Sequence, residues 1–234
     1  MLDCLNKKIV GCSKCKRLVV FREKIAKIKR KQYLDENYWG KPVHGFGDSN
    51  AEVLILGLAP AAHGANRTGR VFTGDKSSEF LFKSLFLADF ANKNNSLNIK
   101  DGLKLKNVYI SLVLKCVPPN DKPTSSELLN CFPYLLKEIK TLSNIKIVIT
   151  LGKIAFDTYL KALGFKISKF KFEHGKCYHM DNNIKLVACY HPSPRNVNTG
   201  RLHQKMLTDL LKKIRNNLNH TPVGCGYRIN LNCL

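Results

Sequence analysis

Four short apolar runs, each followed by a polar loop and then a helical pattern, constrain this chain more than any other feature. They are Val53–Leu58, Val108–Leu114, Ile145–Leu151 and Leu186–Tyr190. Runs this rich in Val, Ile and Leu read as strands covered on both faces. A helix is expected over Lys76–Ala91, where Phe80, Phe82, Leu85, Phe86 and Phe90 give a broad apolar side. A second opens at the capping box Thr124-x-x-Glu127 and bends or restarts near Pro133. A third runs from Gly152 to about Leu163, and a basic amphipathic one from about Leu202 to Leu218. Strands alternating with helices make a parallel α/β sheet flanked on both faces, here with four strands. Phe165–His179 reads as an irregular or hairpin insertion, and Tyr38–Pro42 as a connector. One domain is expected over residues 1–218, and the tail 219–234 has no readable pattern.

In open parallel sheets, ligands bind outside the carboxyl ends of the strands. Three polar loops leave such ends here: Gly57–Asp75, Cys116–Thr124 and His191–Arg201. The first, GLAPAAHGANRTGRVFTGD, has Gly57, Gly64, Gly69 and Gly74 breaking any periodicity, with Phe72 among small residues. A loop this long in a compact pattern is functional or disordered, and its patterned flanks favour function. It is expected to wall a pocket. Asp75 at its end is either chemically used or an N-cap of the following helix.

Charge points to a partner. The chain carries 39 Lys+Arg against 17 Asp+Glu, a net +22, which suits a polyanion such as nucleic acid better than a merely solubilising surface. No apolar run is long enough to span a bilayer, and the start MLDCLNKKIVGC lacks a secretory core, so an intracellular protein is expected. Nine cysteines in that setting suggest metal ligation before disulfides. Cys12 and Cys15 form a C-x2-C pair ahead of a basic helical stretch from about Leu18 to Gln32, and Cys116 and Cys131 a C-x14-C pair. By spacing alone zinc and an iron–sulfur cluster are both open, and the first pair could be a redox site. Cys189, inside a strand, reads as a small buried hydrophobe. Cys4, Cys177, Cys225 and Cys233 carry no pattern.

Two long motifs carry a resemblance. GLAPAAHGANRTGRVFTGD is similar to the first motif of family-5 uracil-DNA glycosylases, and HPSPRNVNTGRL resembles their second. The C-x2-C and C-x14-C pairs are similar to the [4Fe–4S] ligands of families 4 and 5. The likeness covers about Cys12 to Lys213, in the right order. It implies a three-layer α/β/α fold around a central four-stranded parallel sheet. It also implies a monomeric, monofunctional enzyme that hydrolyses the N-glycosidic bond of uracil, and of other deaminated bases such as hypoxanthine, in duplex or single-stranded DNA. Any sliding-clamp partner is not readable.

The same resemblance assigns roles. Asp75 would stabilise the oxocarbenium-like sugar and orient water. His191 would donate to the developing charge on the leaving base, and Asn120 would contact base or water. Gly57, Ala59, Pro60, Ala61 and Phe72 would form the base pocket, with Phe72 stacking on the flipped base. His63, Arg67, Ser193, Arg195, Asn196 and Arg201 would contact DNA. Cys12, Cys15, Cys116 and Cys131 would hold the cluster. Where family 4 has a uracil-reading Asn, this chain has Leu112, which implies a relaxed base range. Two rivals remain: a catalytically silent nucleic-acid-binding protein on the same fold, and a zinc-containing nucleotide hydrolase.

Overall fold

The computed structural model describes residues 1–180 and 183–219; Asn219 is described by its backbone alone. Its centre is a sheet in which strands β2 (Val53–Gly57), β3 (Val108–Leu112), β4 (Ile147–Leu151) and β6 (Lys185–Cys189) run parallel. These are the expected runs, trimmed at their ends. The sheet is nevertheless six-stranded, in the order β1-β3-β2-β4-β6-β5. Strands β1 (Phe46–Gly47) and β5 (Cys177–His179) add antiparallel edges, which corrects the expected count of four. Pairings of two and three residues are too short to leave an alternating pattern in a sequence.

Burial is complete along β2, β3 and β4, and successive residues feed opposite faces of the sheet. Val53 and Ile55 join one core, with Phe82 and Leu85 from helix α4 (Lys76–Leu87) and Leu207 and Leu211 from helix α8 (Gln204–Asn219). Leu54 and Leu56 join the other, with Leu135 from helix α5 (Ser125–Thr141) and Phe156 and Leu160 from helix α6 (Lys153–Ala162). Each such fully buried side chain contributes roughly 1.5–3 kcal/mol. The result is the three-layer α/β/α arrangement.

Helix α1 (Leu2–Val10) was not expected; it buries only Leu5 and Ile9, one turn apart, and has no side-chain cap. Helix α2 (Lys16–Ile28) is the basic stretch, ending four residues before Gln32. Helix α5 runs unbroken through Pro133. The carbonyl that Pro133 leaves unpaired belongs to Leu129, an exposed residue, where water can serve it. Helix α4 stops short of Ala91 because the chain turns left-handed at Asp89. No helix among the described residues is long and apolar enough to cross a membrane.

Candidate active site and cysteine cavity

One cavity of about 580 Å³ lies at the carboxyl ends of the parallel strands, and all three expected loops reach it. Ala59, Pro60, Ala61, Phe72 and Asp75 come from the first loop, Asp121 from the second, and His191, Ser193, Asn196 and Arg201 from the third. Leu112, Leu151 and Gly152 close the strand side.

The first loop contains a single helical turn, α3 (Ala65–Thr68), and is otherwise irregular. Glycines make its close approaches possible. A methyl group at Gly57 would lie 2.7 Å from the Phe72 ring, so β2 must end in glycine for that ring to lie across it. Phe72 sits at φ 45°, which is costly for a bulky residue. Its ring is buried against the core yet lines the cavity, 6.1 Å from the His191 ring. Phe72 therefore packs on the core with one side and faces the cavity with the other.

Asp75 likewise faces two ways. Its Oδ1 accepts the Ser78 N–H at 2.8 Å, while the Ser78 hydroxyl accepts the Asp75 N–H at 3.1 Å, a full capping box at the start of α4. Its other oxygen faces the space that Gly64 leaves open: a methyl there would lie 2.1 Å from Oδ2. Burial pushes the Asp75 carboxyl above its ordinary range, against the pull of the Ser78 and Ser77 amides. His191 follows the end of β6, and burial brings its imidazole down to about 4. It is neutral at any ordinary working pH.

In the third loop, Ser193 caps the short helix α7 (Pro194–Asn198) by accepting the Asn196 N–H at 3.4 Å. The Asn196 amide donates to the His191 carbonyl at 2.8 Å, tying α7 to the residue above the cavity. Arg195 is exposed. Arg201 lies over the Tyr190 ring, 4.5 Å from its centroid.

Three expected residues stand elsewhere. Asn120 is exposed at φ 53° in the turn Pro119–Asp121, and its neighbour Asp121 lines the cavity instead. His63 is half-buried and bonded to the Tyr38 hydroxyl at 3.0 Å. Arg67 is buried and fully engaged within the protein, so its guanidinium is not free to meet DNA. Its expected DNA contact comes from the resemblance alone, and its acceptors, the nearby His63 and Gly74 carbonyls and the distant Glu36 carboxylate, leave no pattern in the sequence. Phe172, Tyr190 and Lys153 also line the cavity without having been singled out. Only Lys153, directly after the Leu151-Gly152 strand end, carried a sequence signal.

A second, small cavity is lined by Cys12, Cys15, Cys116 and Cys131, the two expected pairs. Donors point at the sulfurs. Arg22 Nη1 is 3.2 Å from Cys116 Sγ, the Lys115 N–H is 3.3 Å from Cys131 Sγ, and the Asn130 amide is 3.6 Å from Cys15 Sγ. The guanidinium and the Lys115 N–H pull toward thiolate, the form that binds a metal, but burial outweighs them and raises the Cys116 thiol, and the Cys131 thiol to about 12. The buried Lys115–Glu138 pair and the 2.7 Å bond from Lys115 Nζ to Ser111 fasten α5 to β3 beside it. Among the described residues no group of three or more His, Cys, Asp or Glu is placed to hold a metal ion. Cys189 is free and buried, as expected.

A parallel sheet whose strand-end loops converge over an apolar cavity with one buried carboxylate and one neutral imidazole fits a recognised class: residues 44–215 match the Uracil DNA glycosylase superfamily. The chain is 43% identical over 211 residues to the type-5 uracil-DNA glycosylase of Pyrobaculum aerophilum, covering 90% of each chain. It is 40% identical over 207 residues to that of Thermus thermophilus, covering 88% of this chain and 94% of the relative. Against the type-4 uracil-DNA glycosylase of Sulfurisphaera tokodaii identity falls to 28% over 220 residues. The chain therefore belongs to the uracil DNA glycosylase superfamily, and within it to the type-5 branch.

Proposed function

We propose that this protein is a monofunctional DNA glycosylase that removes uracil, and also hypoxanthine, from DNA and so initiates base-excision repair. The observation that carries the reading is the meeting of Asp75, His191 and Phe72 on one cavity wall. A base turned out of the duplex would stack on Phe72. As the C1′–N bond breaks, the Asp75 carboxylate faces the oxocarbenium-like sugar and orients the water that adds to C1′. The departing base carries charge on its carbonyl oxygens, and a neutral His191 donates a hydrogen bond that strengthens as that charge grows. The single lysine on the wall, Lys153, is paired with Asp157 at 2.5 Å. That pairing supports hydrolysis without a lyase step.

Leu112, on the wall and apolar, offers no donor to a pyrimidine edge, which supports a relaxed base range. Asn120 would reach the base or its water only after an inward movement of the turn Pro119–Asp121. On the DNA side, Ser193, Arg195, Asn196 and Arg201 would meet backbone and stack. Within the loop, the His63 and Arg67 side chains bond to the protein itself, and they would act on DNA indirectly. The four cysteines would hold a [4Fe–4S] cluster. Such a group would cross-link the N-terminal segment to the β3–α5 connection, and no step of the hydrolysis passes through it. Residues 1–218 would act as one monomeric domain.

The test is base release from uracil- and hypoxanthine-containing duplexes by the purified protein, with Leu112→Asn beside wild type. Release of both bases by wild type is expected, with Leu112→Asn shifted toward uracil. Duplex binding without release of any base would favour the silent binding protein. Iron and acid-labile sulfide in the purified protein are expected; zinc instead would refute the cluster.

A further inference from the structure

Arg67 is one of two buried cations in the first loop, and one arm of its guanidinium reaches Gly74, the residue before Asp75. From α3 its Nε donates to the His63 carbonyl at 2.7 Å, and its Nη2 to the Gly74 carbonyl at 3.0 Å. Its Nη1 pairs with the Glu36 carboxylate, and the guanidinium lies 3.8 Å from the Tyr33 ring centroid. Gly74 is at φ 75°, and a methyl group there would lie 2.3 Å from Arg67 Nη2. The loop is thus pulled against this one side chain at both ends of its irregular part. Glu36 and Tyr33 belong to the segment between α2 and β1, which also grips the loop through the backbone. The Trp39 N–H donates to the Arg67 carbonyl at 2.8 Å and the Gly40 N–H to the Asn66 carbonyl at 3.0 Å. The Asn66 amide donates in turn to the Arg22 carbonyl of α2 at 3.3 Å.

We propose that Arg67 is a positioning residue for base removal: it clamps the His63 and Gly74 carbonyls to Glu36 and Tyr33, and so sets where the Asp75 carboxylate stands in the cavity. The inference rests on Asp75 as the reacting carboxylate. The clamp requires a planar fork with several donors in fixed directions; a lysine has the charge but one point of attachment. Misplacing a reacting group by about 1 Å can cost about 100-fold in rate.

The experiment compares Arg67→Lys, Glu36→Gln and Asp75→Asn in the full protein. Single-turnover uracil release is read beside affinity for a duplex carrying a non-hydrolysable uracil nucleotide, and beside thermal unfolding. Arg67→Lys is expected to slow release by about 30–100-fold with duplex affinity unchanged, and Glu36→Gln, which keeps an acceptor but removes the charge from one arm, by roughly 3–10-fold. Arg67→Lys releasing uracil within twofold of wild type, or losing affinity at an unchanged rate, would overturn the proposal. If Arg67→Lys does not fold, Glu36→Gln decides alone, and a wild-type rate there overturns it. Full activity in Asp75→Asn would instead refute the reading of Asp75, whatever the other variants do.

Discussion

The first and third loops meet over the same cavity, and each carries two arginines, but they use them in opposite ways. Arg67 and Arg70 in the first loop are buried. Arg70 makes a two-pronged pair with Asp101, at 3.0 and 2.5 Å, and bonds Thr73 and Ser96 at 3.0 and 2.7 Å. Arg195 and Arg201 in the third loop are exposed and free to meet a phosphate. A fork satisfied by fixed acceptors locks a backbone; a solvated fork adapts to whatever duplex arrives. On the function proposed above, the first loop would fix the position of a carboxylate and the third would make the contact. A net charge of +22 counts both kinds alike, so it overstates the surface that DNA meets.

The sharpest way to break that division is Asp75→Asn. Asparagine keeps the N-cap but cannot stabilise a cation, so uracil release should fall by about 10²–10⁴-fold while duplex binding holds. Stability should move the other way. The folded carboxyl lies above its unfolded value, so folding is favoured at low pH, and the gain is lost as pH rises through the raised folded value. At neutral pH the ionised Asp75 costs stability, and the variant should unfold at a higher temperature than wild type, with the gap closing in acid. The rate of wild type should fall as pH drops through the raised Asp75 range. Asp75→Ala loses the cap as well as the charge, so an Asp75→Ala variant less stable than wild type, beside a more stable Asp75→Asn, would show that capping outweighs the buried charge.

Arg70→Leu probes the other half of the contrast. It leaves the nearly enclosed Asp101 carboxylate unpaired, and breaking a buried pair from one side costs about 3–5 kcal/mol. Burial pushes Asp101 up, but the Arg70 bonds and the Leu103 and Leu97 amides outweigh it and hold the group well below the carboxylate range. The contribution is therefore complete above the unfolded value and is lost as pH falls toward the folded one. Denaturant unfolding should show the full deficit at neutral pH and a smaller one in acid. A deficit under 1 kcal/mol would mean that the pair is only an accessory to the loop.

The alternation of runs such as Val53–Leu58 with capped helices made the central strands and both helical layers legible, because burial on two faces writes a continuous apolar signal. Edge strands of two or three residues write none, and neither did α1, whose two buried side chains suffice only because α5 lies beside it. At the site, the loops and their order were legible, and so was Asp75. What could not be read was the direction of each polar side chain. Arg67 and Arg195 look alike in a sequence, and only the distant Glu36 and Gly74 decide that the first turns inward. Asn120 and Asp121 are neighbours whose left-handed backbones, φ 53° and 55°, send one outward and the other to the wall. Long-range acceptors and single backbone reversals carry no periodicity.

Arg195→Ala gives the smallest effect and the most specific one. Arg195 is exposed on α7, and its substitution leaves no charge buried and no core contact broken. Unfolding temperature should stay at the wild-type value, in contrast to Arg70→Leu. If the side chain meets one phosphate, the slope of log affinity against log salt should fall by about one, with equal loss on uracil-containing and undamaged duplexes. If it enters the stack as a wedge instead, the salt slope should stay put, and the loss should appear in the rate of base release from fully paired duplex and vanish on single-stranded substrate, where nothing needs to be unstacked. The two patterns are exclusive for one side chain. Either keeps the third loop as the contacting one; a change in unfolding temperature with neither pattern would move Arg195 to the structural side, with Arg67 and Arg70.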